Sequence, residues 1–157
     1  GAGLYIVGTA TLTDTNVYQN QASVGGGLAV GSGGTANLEG CNIFDNVAQY
    51  GGGLYILGTA TLTNTNVYEN DATYYGAGLY IVGTATLTDT NVYQNQASVG
   101  GGLAVGSGGT ANLEGCNIFD NVAQYGGGLY ILGTATLTNT NVYENDATYY
   151  GAGLYIV

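Results

Sequence analysis

The sequence predicts an all-β solenoid, a coil of short strands in which each turn repeats the one before it. Three observations predict it. Residues 1–75 return letter for letter as residues 76–150, and residues 151–157 open a third copy. Within each 75-residue unit lies a shorter period of about 25 residues, with rungs starting at Gly1, Gly25 and Gly51. Along each rung apolar and polar residues alternate in twos, and no stretch has a helical period. Self-similarity at a fixed period marks stacked repeats. Period-two alternation broken by Gly, Asn and Asp marks short half-buried strands.

Taken in order, the first rung supplies three strands. Leu4 and Ile6 alternate with Tyr5; Ala10 and Leu12 alternate with Thr9, Thr11 and Thr13; Thr15 and Val17 share one face while Asn16 and Tyr18 share the other. The expected rung is therefore three short strands and no helix. The three rungs of a unit are 24, 26 and 25 residues long. Their length differences fall in Gly31-Ser32-Gly33-Gly34 and in Thr73-Tyr74-Tyr75, so these are read as turns that leave the strands in register. The paired glycines Gly25-Gly26 and Gly51-Gly52 fit a sharp corner that needs positive φ or close backbone approach.

Ordering one rung costs more conformational entropy than its few large aliphatics return on burial. Neighbouring rungs must supply the balance through backbone ladders and stacked like side chains. Parallel pairing at about 4.8 Å gives six rungs a length of about 29 Å, with the 75-residue unit recurring every ~14 Å. Aligned rungs put Leu4, Leu28 and Leu54 in one inward column, and Leu12, Leu38 and Leu62 in another. Ile6, Val30 and Ile56 form a third, and Val17, Ile43 and Val67 a fourth. Asn20, Asn46 and Asn70, with their copies Asn95, Asn121 and Asn145, stand at the same place in every rung. Stacked asparagine amides there would bond along the axis and to turn backbone. The whole chain, 1–157, reads as one continuous solenoid: 1–75, 76–150 and the start of a third unit at 151–157.

These motifs resemble the right-handed parallel β-helix repeats of the pectin-lyase-like superfamily, especially those of polymorphic outer-membrane proteins and bacterial surface adhesins. The Gly-Gly-Ala-aliphatic element of those repeats has its counterparts in Gly51-Gly52-Gly53-Leu54 and in Gly1-Ala2-Gly3-Leu4. Their Phe-x-x-Asn element has its counterparts in Val17 to Asn20, Ile43 to Asn46 and Val67 to Asn70, with an aliphatic in place of Phe. The resemblance implies a right-handed coil of three-strand rungs and a place at the cell surface.

Composition narrows the function. The chain has ten acids and no Lys, Arg or His, for a formal charge of −10. Phosphate recognition through Lys or Arg is ruled out, so nucleic acid is not an expected partner. No apolar run reaches membrane-spanning length, so no membrane insertion by this segment is expected. The chain starts and stops within a repeat, which suggests a window onto a longer array. Exact duplication argues against an enzyme, since catalysis needs one unique place; paired carboxylates without basic residues or long loops are poor tools for polysaccharide cleavage.

Four features compete for a role. Asp45 and Glu69 share a column with Asp71 nearby, and Asp120, Glu144 and Asp146 repeat them. These are the candidate ligands for Ca²⁺, against the alternative of a solvated acidic stripe that keeps rods soluble. No other cofactor is expected. Cys41 and Cys116 lie three rungs apart, about 14 Å by the strand spacing, too far for a disulfide, and align with inward Thr15 and Thr65. Outward threonines in Thr9–Thr13 suggest an ice-binding face, but Asn37 and Glu39 break it in the second of each unit's three rungs, and β-propensity accounts for the threonines. Aromatics carry more. Tyr18, Phe44 and Tyr68 form an outward column, Tyr5, Ala29 and Tyr55 an interrupted one, and Tyr74 and Tyr75 crowd the corner with Tyr50. Such stripes are candidate surfaces for lateral self-association, with carbohydrate as the other partner class.

The expected protein is a structural extracellular filament or surface-fibre rod, stacking end to end as an uncapped solenoid. The alternative is an adhesin stalk or passenger that binds carbohydrate or a host surface. Ice binding and a designed idealised repeat are minor alternatives.

Overall fold

In a computed structural model, which describes residues 2–157, the chain winds into a parallel β-solenoid of about six rungs. Gly1, the first residue of the Gly1-Ala2-Gly3-Leu4 element, lies outside the described residues. Four parallel sheets run along the coil, with seven, six, six and five strands. In the first rung the strands are Leu4–Ile6, Thr9–Thr13 and Asn16–Tyr18. No helix is present among the described residues, and none is long and apolar enough to cross a membrane.

The fourth sheet corrects the expected three strands per rung. It is built from Val47–Tyr50, Asp71–Tyr75, Gln96–Val99, Val122–Tyr125 and Asp146–Tyr150. The first rung joins it only through the bridges Gln21↔Val47 and Val24↔Tyr50. This is the length-variable segment that the sequence reads as a turn. Its extra residue is absorbed by a register shift between Ala72 and Tyr75, so pairing continues on both sides. A bulge lets one strand carry an additional residue without ending the ladder.

The pairing is in register rung by rung. Leu4 pairs with Leu28, Leu28 with Leu54, Leu54 with Leu79, and the column continues through Leu103 and Leu129 to Leu154. The Leu12, Ile6 and Val17 columns extend in the same way, and their interior members are buried. They fill one continuous core from Ile6 to Ile131. Register is fixed because a one-residue slip would turn every apolar side chain to solvent. The seam between the identical units is an ordinary rung step, with Leu54↔Leu79, Leu62↔Leu87, Val67↔Val92 and Ala72↔Ala97 in register.

The fourth sheet lies so close to the corner that the corner carries nothing larger than the Ala77 methyl. A Cβ at Gly52 would sit 2.5 Å from the Asp71 carbonyl oxygen and 2.7 Å from that of Ala77. Two strands of the fourth sheet turn Ala72 and Ala97 inward, and with Ala77 of the corner these make a small apolar cluster separate from the main core. Gly51 opens the corner at φ 63°, where a Cβ would run into the Leu54 carbonyl. The positive φ reserves the Gly51 place for glycine, which recurs there as Gly25, Gly76, Gly100, Gly126 and Gly151, whereas the Gly52 place accepts a methyl one rung on, at buried Ala77.

Candidate functional site

The most complete polar feature is the asparagine ladder at the turn between the third and fourth sheets. Asn46, Asn70, Asn95 and Asn121 are buried. At Asn70 the side-chain amide donates to Asn95 Oδ1 at 3.0 Å, to the Ile43 carbonyl one rung earlier at 2.9 Å, and to its own rung's Tyr68 carbonyl at 2.9 Å. Its Oδ1 accepts from the Asn46 backbone N–H and the Asn46 amide, both at 3.1 Å. The chain of bonds runs from Asn20 to Asn145 without a break. One residue type thus satisfies a donor and two carbonyls that the turn would otherwise strand.

A second ladder escaped the sequence reading, which treated Asn16 only as an outward neighbour of Tyr18. The Asn42 amide donates to Asn16 Oδ1 at 2.9 Å, and Asn66, Asn91, Asn117 and Asn141 continue the row at 2.9–3.0 Å. The signal was present, because asparagine stands at this place in every rung.

The aromatics divide into two groups. Tyr18, Phe44, Tyr68, Tyr93, Phe119 and Tyr143 stack face to face, with centroids 4.9–5.1 Å apart and planes within 3–6°. Tyr5, Tyr55, Tyr74 and Tyr75 belong elsewhere, at the edge where the fourth sheet meets the first. There Tyr50 lies 5.3 Å from Tyr74 and 6.1 Å from Tyr75, while Tyr80 lies 5.6 Å from both Tyr55 and Tyr75. Tyr5 is exposed and pairs with Ala29. Tyr125, Tyr130, Tyr149, Tyr150 and Tyr155 rebuild this island in the next unit. Where Ala104 interrupts the column, a notch of about 160 Å³ opens between Tyr80 and Tyr130, with Tyr75, Val105, Gly106 and Leu132 completing its walls.

Burial raises the phenol pKa of Tyr68 and Tyr93, reinforced at Tyr68 by Glu69 and Asp45 and at Tyr93 by Tyr68 and Glu69. Tyr80 is raised by burial and by Tyr55, Tyr75 and Tyr50; Tyr130 by burial, Tyr75 and Tyr155. These phenols are neutral at physiological pH.

The acids are arranged differently from a calcium site. Asp45, Glu69, Asp120 and Glu144 are exposed turn residues in the left-handed region, at φ 52–54°. Asp71 and Asp146 instead start strands of the fourth sheet, with Asp71 paired to Val47 and Gln96. Among the described residues no three Asp, Glu, Cys or His side chains gather to hold a metal ion. Asp45 and Glu69 keep their shared column at the turn, but Asp71 lies beyond Asn70 at the start of a strand, so the expected grouping of the three is not formed among the described residues.

Cys41 and Cys116 are free and buried. Each thiol points at carbonyls 3.4 Å away, Cys41 at Leu12 and Glu39 and Cys116 at Leu87 and Glu114, and burial pushes the Cys116 thiol pKa up. They are packing residues, without the electropositive surroundings of a reactive thiolate. On the second sheet Glu39 sits between Thr13 and Thr63, which interrupts the threonine rows.

The described surface is thus a set of axial columns, each repeated at the rung spacing. No curated protein and no solved structure matches the chain. The family model described as "right handed beta helix region" matches residues 1–147, so the chain belongs to that family and its coil is right-handed.

Proposed function

We propose that the chain is a structural rod, an extracellular or cell-surface fibre segment that acts by length and stiffness and not by catalysis. One observation carries this reading. The seam between residues 51–75 and 76–99 continues the apolar columns, the Asn70–Asn95 bond and the Tyr68–Tyr93 stack with the geometry found inside a unit. A further unit would meet the same complement, so elongation needs no new contact. With ten acids and no cation, the rods repel one another sideways at low salt and approach through their aromatic columns when screened. Sedimentation velocity over a concentration series at low and at ~0.5 M salt tests this, the higher salt shortening the screening length to a few Å. Concentration-dependent growth that salt enhances supports the rod; a single species under all conditions overturns end-to-end assembly.

The notch beside Ala104 favours a second reading, an adhesin stalk that takes a sugar ring against Tyr80 and Tyr130. Binding of soluble oligosaccharides that is lost in Tyr80→Ala with Tyr130→Ala would move the protein to that class.

A further inference from the structure

We propose that Tyr50 with Tyr74, and Tyr125 with Tyr149, are sites of oxidative phenol coupling that staple adjacent rungs through a carbon–carbon bond. The composition leaves tyrosine as the oxidation target. The chain has no Met, Trp or His, its two cysteines are buried, and it has fifteen tyrosines. With no Lys, amine-based cross-links are also excluded.

Tilt, distance and exposure together select the pairs: Tyr55–Tyr80 and Tyr130–Tyr155 are also inclined, at 58° and 42°, but stand farther apart at 5.6 Å and have no exposed ring. A biaryl bond lies in the plane of both rings, so the ortho edges must approach each other. In the third-sheet ladder the one tyrosine–tyrosine step, Tyr68–Tyr93, is face to face at 5°, and its edges point the same way. Tyr50 and Tyr74 have centroids 5.3 Å apart with planes inclined 40°, and Tyr125 and Tyr149 repeat this at 5.3 Å and 35°. Tyr74 is 46% exposed and Tyr149 60%, which gives a diffusing oxidant access. In each pair the rings come from successive rungs, so the bond would close a loop of one full turn, the arrangement by which a covalent cross-link restricts the unfolded chain.

The oxidant is hydrogen peroxide used by a haem peroxidase. Each phenol gives up one electron and one proton, and the peroxide takes both electrons and both protons to become two waters. The two phenoxyl radicals join at their ortho carbons. Each of those carbons then loses its hydrogen, and the phenol oxygen regains one, so the product has two hydrogens fewer than the pair. The coupling lies within one chain and does not depend on the rod reading.

The test treats the whole chain with horseradish peroxidase and hydrogen peroxide, and isolates the monomer by size exclusion. The readouts are dityrosine fluorescence, mass, and chymotryptic peptides. The expected result is a monomer lighter by two hydrogens per pair, at a yield independent of protein concentration, with a higher unfolding temperature. Tyr74→Phe with Tyr149→Phe keeps both rings and should remove most of the product, while Tyr68→Phe with Tyr93→Phe should leave it unchanged. Matching circular dichroism spectra establish that the variants fold. Product confined to dimers and larger species overturns the proposal, as does product that survives Tyr74→Phe with Tyr149→Phe or disappears in Tyr68→Phe with Tyr93→Phe.

Discussion

Asn70 shows how much of the coil rests on one residue type. Its amide joins three rungs, reaching back to Ile43, forward to Asn95 and across to Tyr68. Asn70→Ala leaves the Asn46 backbone N–H facing an empty place and removes the Ile43 carbonyl's amide donor, at roughly 1–3 kcal/mol per stranded group. Chemical denaturation should therefore show a midpoint clearly below the parent's. Asn70→Asp can accept from Asn46 but at neutral pH cannot donate to either carbonyl, so it should be the more destabilising of the two near pH 7 and recover as acid protonates it. Equal stability of Asn70→Ala and parent would mean that water replaces the amide. Asn16 and its column form a comparable row at the surface; there the lost bonds can pass to solvent, and the same change should cost less.

At the scale of the element, the aromatic ladder and the tyrosine island are both sensitive to alkali. Tyr68, Tyr93, Tyr80 and Tyr130 have pKa values raised above the ordinary 10.0. A raised folded-state value means that the neutral phenol is favoured by folding. Its contribution is intact below pH 10 and is lost as pH rises through the folded-state values. Tyrosinate absorbance and the β-sheet circular dichroism signal should therefore change together above pH 10, and Tyr80→Phe with Tyr130→Phe should blunt the loss of structure. Independent titration of all tyrosines near 10 with an unchanged β signal would contradict this. The elements also mark the boundary of what the sequence discloses. Leu4–Ile6, Thr9–Thr13 and Asn16–Tyr18 were legible because alternation within one strand repeats at one spacing. The fourth strand was not, because Gln21-Ala22-Ser23-Val24, Val47–Tyr50 and Asp71–Tyr75 share only a central alanine and differ in length. What orders it is pairing with the same segment of the neighbouring rungs, which tolerates the differences in length through a register shift. The columns themselves could be aligned from the sequence, but not the division of the tyrosines into a stacked ladder and a tilted island. That division follows from where the fourth sheet folds against the first.

For the whole molecule, the central claim is that one rung geometry propagates unchanged across unit boundaries. The core runs through the seam at residue 76 without a gap, and every ladder crosses it in register. Exact duplication gives each unit a surface that fits the next, and long-range order then costs only the repetition of one local interface. The charge of −10 without any cation opposes the approach of one copy to another, end to end as well as side by side, which is why ionic strength enters the assembly test. Cryo-electron microscopy of the purified chain at moderate salt tests the claim most directly. Unbranched rods are expected, with layer lines at ~4.8 Å for the rung and ~14 Å for the three-rung unit. Discrete short particles of fixed length, or filaments lacking the 4.8 Å spacing along their axis, would contradict it.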